Sequence, residues 1–489
     1  MKPAKTIWVY IHLAFLLLLG GKCQTQTPKI LAGPMLGYCE HKEVLVWILT
    51  SCTRKVSLHY YITKTKTEKK ILEEVLFDPA IKVGDPSICN NNKVTKFVLK
   101  DLRPGEKYSY LIYLDGKEYK PEFPLQFTTK EIWEWRAPAP DFAFLAGSCN
   151  YINDSLYDRP GKPYGKQTDI FKTMAATPAE LMIWLGDNTY LREADYSSQS
   201  GIKYRYEHTR RNKDLQKLLG TKFNYAIWDD HDFGPNDGNS SFELKDYSTQ
   251  IFKQFWGNKY YGQDGQGVYS KFSYSDCEFF LLDNRTFRDE SSLHEETVAY
   301  KTMLGQKQLQ WLKNSLKFST ASFKFICVGG QVLNEYTVKE SYNLYKSERE
   351  EIISFISNNN ISGVLFLTGD RHHSEIIKAN RNKNNKSDTD YYPLYDITSS
   401  PLTSGTDDIL NSSEKDNPMR VKGTLAVDQN FCIFNVSGMP GERKLLVRSL
   451  DRNNNKLFEL TLYQSDLENR LKNSPKITEK KGRSKKKQK

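Results

Sequence analysis

Four polar clusters in this chain hold residue types that ligate metal ions, and each directly follows a short apolar run. The first is Gly147-Ser148-Cys149-Asn150 and the second Gly186-Asp187-Asn188-Thr189-Tyr190. The third runs Trp228-Asp229-Asp230-His231-Asp232-Phe233-Gly234-Pro235-Asn236-Asp237, and the fourth is Gly369-Asp370-Arg371-His372-His373. Thiolate, phenolate and imidazole are donors for a transition metal, whereas carboxylate and amide oxygens suit a hard divalent cation. Each cluster alone has a plainer explanation. Gly-Asp after a strand is commonly a turn, a lone cysteine a buried thiol, and a lone histidine a hydrogen-bonded side chain. Asp230 and His231 could simply cap a helix or turn. Four separate runs, each ending in potential ligands, are hard to obtain from turn chemistry, so together they point to a metal site.

Such convergence needs a scaffold that brings several strand ends to one place. The apolar runs have strand length: Phe142 to Ala146, Leu181 to Leu185, Tyr225 to Trp228, Phe279 to Leu282, Phe323 to Val328 and Val364 to Leu367. Helical stretches are expected between them at Thr168 to Ala176, Asp214 to Leu219, Gln306 to Leu316 and Ser347 to Ile356. This alternation indicates a layered α/β domain over residues 141–465. In open α/β sheets, ligands bind beyond the carboxyl ends of the strands, which is where the clusters fall.

Residues 28–130 read differently. Val44 to Leu49, Val56 to Tyr61, Val94 to Leu99 and Tyr108 to Tyr113 are β-branched and aromatic runs between polar turns, the pattern of an all-β unit. Leu102-Arg103-Pro104-Gly105-Glu106-Lys107-Tyr108 resembles the tyrosine corner of a fibronectin type III sandwich, in which the hydroxyl bonds to backbone. Nothing here looks catalytic, so a spacer or binding module is expected. Trp133 to Pro140, with Ala137-Pro138-Ala139-Pro140, reads as the linker.

The ends bound the setting. Lys2 and Lys5, the apolar run Ile7 to Leu19 and Gly20-Gly21-Lys22-Cys23 have the parts of a secretory signal peptide, assigned to residues 1–23. The run is short for a membrane span, and Lys22 before Cys23 suits lipid attachment poorly. The protein is therefore expected to be exported: periplasmic, secreted or at the cell surface. The formal charge of +11 is concentrated at the ends, because residues 473–489 form a basic tail and Lys2, Lys5 and Lys22 lie in the signal segment. The body between is close to neutral, and the tail reads as a disordered end that could attach to a surface. No specific nucleic-acid partner is evident. Hydrophobic residues make up 38 % of 489, enough for a sizeable core. Export permits disulfides, and Cys39, Cys52 and Cys89 are close enough to include one pair. Cys277, Cys327 and Cys432 lie in strand-like runs and read as buried.

Taken in order, Gly-Ser-Cys, Gly-Asp-x-x-Tyr, Trp-Asp-Asp-His-Asp-Phe-Gly-x-Asn-Asp and Gly-Asp-x-His resemble the motifs of the PhoD-like alkaline phosphatases. The likeness spans Asp141 to about Tyr463 and includes Leu282-Asp283-Asn284-Arg285, Met303-Leu304-Gly305 with Gln308 and Trp311, and Thr398 to Gly405. It implies an α/β fold, the four-layer metallophosphoesterase sandwich, preceded by an all-β fibronectin type III-like domain. It also implies iron(III) held by Cys149, Asp187, Tyr190 and His372, with Asp187 bridging to calcium that Asn236 and Asp370 also bind. Another divalent metal pair is the alternative. Spacing from Asp370 matches His372, leaving His373 as a supporting or substrate-facing residue.

The expected activity is metal-dependent hydrolysis of phosphate mono- or diesters by metal-activated water, on a small-molecule, lipid or polymer substrate. Asp230 and His231 are candidates for hydrogen bonding or proton transfer. Arg285 and Arg371 are candidates for clamping phosphate, against the plainer role of structural ion pairs. Two rivals stand beside this. One is an exported adhesion or carbohydrate-binding protein on an inactive phosphatase-like scaffold. The other is a same-fold enzyme with a different metal pair, as in purple acid phosphatases, whose metal motifs typically offer several more histidines, whereas this chain has eight in all.

Overall fold

The computed structural model describes residues 27–160, 165–336, 340–381 and 389–471. The expected signal segment, Cys23 and the basic tail lie outside the described residues.

The first eight strands are β1 (Lys29–Cys39), β2 (Val44–Ser51), β3 (Lys55–Ile62), β4 (Lys70–Val75), β5 (Lys93–Leu99), β6 (Lys107–Leu114), β7 (Lys117–Tyr119) and β8 (Gln126–Thr128). The α/β part begins with β9 (Phe142–Gly147), β10 (Leu181–Leu185), β11 (Phe223–Ile227), β12 (Ser270–Tyr274), β13 (Cys277–Leu281), β14 (Phe323–Val328) and β15 (Val364–Thr368). It ends with β16 (Glu375–Ala379), β17 (Thr389–Asp390), β18 (Leu394–Thr398), β19 (Asn430–Ser437), β20 (Lys444–Asp451), β21 (Lys456–Tyr463) and β22 (Arg470–Leu471). The result is a mixed α/β fold with several sheets.

Strands β9, β10 and β11 are parallel neighbours, buried along their whole length, as continuous apolar runs must be. They sit inside a nine-stranded sheet of order β21-β20-β19-β9-β10-β11-β1-β2-β5. The second sheet has order β12-β13-β14-β15-β18-β16, with β13, β14, β15 and β18 parallel. Aromatic rings fill the space between the two: Phe144 meets Phe279 and Phe325, both at 5.1 Å, and Tyr225 stacks on Phe272. The opposite face of β10 presents Trp184 to Phe171 and Trp256, on or just after the helices Ile170–Ala176 and Lys245–Phe255.

The N-terminal strands divide between two sheets. β4, β3, β6 and β7 form their own sheet with β8 on β6, while β1, β2 and β5 extend the nine-stranded sheet. The junction is a parallel pairing at Leu36 and Phe223. Hydrogen bonding therefore does not stop at the sequence boundary near residue 130. Strand β1 was not expected, because Gly33, Pro34 and Gly37 interrupt its pattern. The Tyr108 hydroxyl accepts from the Arg103 backbone N–H at 2.9 Å, the contact foreseen for that corner. Cys52 pairs with Cys89, and Cys39, Cys149, Cys277, Cys327 and Cys432 are buried thiols.

Candidate metal centre

All four clusters leave the carboxyl ends of β9, β10, β11 and β15 and meet where the two sheets come together. Gly369 shows how close that approach is, since a Cβ there would lie 2.5 Å from the Leu185 carbonyl oxygen. The segment after β18 ties the sheets: Ser399 Oγ donates to the Ala146 carbonyl and Ser148 Oγ to the Ser399 carbonyl, each at 2.8 Å. Asp232 accepts from the backbone N–H of both Asn188 and Asp229 at 3.1 Å, locking the turns after β10 and β11 together.

Within this frame Cys149, Asp187 and His372 each place a ligand atom within 4.8 Å of the others. Tyr190 joins them, its hydroxyl 3.1 Å from Asp187 Oδ2 and 3.2 Å from His372 Nε2. The Cys149 thiol lies 3.7 Å from the same Asp187 oxygen, and Ser400 Oγ donates to its sulfur at 3.2 Å. Asp187, Asp230 and His231 form a second such group, and Asp230, Asp237 and Glu340 a third. Asp370 and Asn236 line the same cavity of about 630 Å³, with Asn236 exposed at its rim and donating to Asp237.

The electrostatics call for a cation. Burial, then Asp230 and Cys149, push the Asp187 carboxyl well above its ordinary range. Burial, with Asp229 and Glu340, raises Asp370 to about 8, and burial with Asp370 raises the Cys149 thiol to about 12. Buried Asp229 Oδ2, Asp230 Oδ1, Asn284 Oδ1 and His231 Nδ1 have no hydrogen-bond partner, a costly state for clustered acceptors. A soft sulfur, a phenol, imidazole and several carboxylates therefore fit metal binding in both chemistry and spacing.

The remaining candidates fall in different places. Asp230 and His231 line the cavity, and the His231 ring stacks on Tyr190 at 4.2 Å. Arg285 is 1 % exposed and set behind the site, its guanidinium paired with Asp229 and doubly with Glu340. Arg371 reaches the cavity wall, but both Nη atoms are engaged, by Gln331 and Glu414. His373 does not face substrate: it is fully buried, with Nε2 3.3 Å from Glu375, because the chain turns after His372 into β16. Sequence reasoning missed Arg192 and Arg159 on the cavity wall, and Glu340 in the acidic group. Arg192 had a signal, standing two residues after Tyr190; Glu340 had none.

Residues 144–438 match the family model described as PhoD-like phosphatase, and the chain belongs to that family. It is 27 % identical over 368 residues to "Alkaline phosphatase D" of Bacillus subtilis (strain 168), an alignment covering 65 % of this chain and 58 % of that protein. A solved structure titled "Structure of PhoD" superposes with a TM-score of 0.69 at 17 % identity, covering 89 % of this chain and 90 % of that one. The same fold therefore carries both. Among the described residues no helix is long and apolar enough to cross a membrane.

Proposed function

We propose that this chain is an exported, metal-dependent hydrolase of phosphate mono- or diesters. The observation that carries the reading is the meeting of Cys149, Asp187, Tyr190 and His372 around one point beside a cavity lined by further carboxylates. These four would hold iron(III), with Asp187 shared with calcium at Asn236 and Asp370. Bound cations would neutralise phosphoryl charge and acidify water. Around them the chain's own groups have separate tasks. The Asp187 carboxylate is fixed by the His231 backbone N–H at 3.3 Å. The Asp230 carboxylate, held ionised by His231 and Arg285 despite its burial, can accept a proton or orient water. His231, whose burial disfavours its protonated form while Asp230 favours it, lines the cavity and can hydrogen-bond to substrate. Arg192 and Arg159 offer guanidinium donors on the wall. Arg285 and Arg371 hold the acidic residues in position.

Finer features support the reading. Two sheets face each other over an aromatic layer with helices outside, as a four-layer sandwich requires. The strand partition and the Tyr108 contact support a fibronectin type III-like unit. The signal-like N-terminus and the Cys52–Cys89 bridge support export, and the basic tail could hold the protein to a surface. Elemental analysis, coupled to assays on chromogenic mono- and diesters, tests the proposal. Asp187→Ala is expected to lose both metal and turnover; a metal-replete, active variant would refute the bridging role.

A further inference from the structure

We infer that the cavity mouth recognises the organic half of the substrate, and that this half carries an aromatic ring. The inference rests on the phosphoesterase reading above and adds the substrate class. A cavity of about 630 Å³ is the size of a small-molecule site rather than of a bare phosphate pocket. Arg159 stands on its wall, and just before it in the chain Leu156 and Tyr157 are 73 % and 52 % exposed. Tyr204, 40 % exposed, meets Tyr157 edge to face at 5.7 Å. Leu156 and Tyr157 thus stand exposed three and two residues before a cavity-wall residue, with Tyr204 against Tyr157, and large side chains left in water there mark a contact surface.

The platform is held rigid from beneath. Asp158, next to Tyr157, accepts from Arg205 Nη2 at 2.6 Å, from the Tyr151 hydroxyl at 2.6 Å and from the Asp154 N–H at 2.7 Å. Arg205 Nε donates on to Asp195 at 2.7 Å, and Asp195 accepts from the Arg192 N–H on the cavity wall. Arg205, Asp158 and Asp195 are almost fully buried, and burying such charges carries a desolvation cost that a merely filling loop would not need. What the network fixes is the position of Tyr157 relative to the cavity. A flat ring joined to the phosphoryl group can lie on Tyr157, two residues before Arg159, whose guanidinium is paired with Glu193.

Two phosphonates that cannot be hydrolysed test this as competitive inhibitors of the metal-loaded full chain. Tyr157→Ala is expected to weaken inhibition by phenylphosphonate about tenfold and to leave methylphosphonate unchanged, with Tyr157→Phe restoring the wild-type ratio. Equal weakening of both, or of neither, overturns the platform. Octylphosphonate losing as much as phenylphosphonate overturns the aromatic assignment. If the wild type turns over no phosphate ester with any metal, the proposed function fails; calorimetric binding of the same two phosphonates then decides the platform separately.

Discussion

Cys149, Asp187, Asp370 and His372 hold φ of 58°, 53°, 69° and 55°, a left-handed backbone that non-glycine residues adopt at a cost of roughly 1–3 kcal/mol each. Strain and like-charge crowding fall on the same residues, so the site is destabilising when no cation offsets them. Asparagine tolerates the left-handed region and removes a charge. Asp370→Asn should therefore raise the stability of chelated protein by about 0.5–2 kcal/mol while lowering metal affinity, read by denaturant melts with and without metal. The arginines separate by the same logic. Arg285→Met strands Asp229 and Glu340 in the interior and should cost about 3–5 kcal/mol of stability. Arg192→Ala loosens only the long 3.6 Å contact to exposed Glu193, and should instead raise KM about tenfold or more with little change in melting. If Arg285→Met melted normally but lost substrate affinity, it would be the phosphate clamp after all.

At the scale of elements, the join between the N-terminal strands and the α/β part is the feature most open to disruption. Tyr38 donates its backbone N–H to the Gly257 carbonyl at 2.7 Å, and a Cβ on Gly37 would lie 2.8 Å from that oxygen and 3.0 Å from the Gly257 Cα. Backbone cannot give way as a side-chain tip can. Gly37→Ala should cost about 1–3 kcal/mol, seen as a lower urea midpoint for the whole molecule rather than a separate early transition. An early transition confined to the N-terminal strands would show that the nine strands do not unfold together. This junction was illegible in the sequence. Buried parallel strands such as Leu181–Leu185 and Phe323–Val328 announce themselves as unbroken apolar runs. Strand β1 carries two glycines and a proline because it bulges and packs backbone to backbone, which erases the periodic signal. The clustered side chains were legible for the opposite reason: Cys149, Asp187, Tyr190 and His372 owe their positions to short strand-to-turn segments. Glu340 arrives from a remote loop with no local pattern, and the partners that claim Arg285 could not be foreseen.

For the whole molecule, clustered acids set how stability must vary with pH. Burial raises Asp232 and Asp370 to about 8, and burial with its acidic neighbours lifts Asp187 well above its ordinary range. A carboxyl whose pKa is higher in the folded state binds more protons there than in the unfolded chain, whose carboxyls titrate near pH 4. Between about pH 4 and pH 8 the unfolded state therefore holds fewer protons, and unfolding free energy falls as pH rises. Acids held low by their neighbours act oppositely, as a hydrogen bond from His373 and the charge of Arg420 hold Glu375 down to about 2 against its burial, but their contribution is complete above about pH 5 and adds no slope beyond it. Chelated protein should accordingly melt at progressively lower temperature from pH 5.5 to pH 8. Cations bind the deprotonated forms, so loading should flatten or reverse that slope, with the largest gain in melting temperature at the alkaline end. Melting curves across this range, with and without metal, give the answer. Parallel profiles for the two forms would mean that the cations do not bind at these carboxylates.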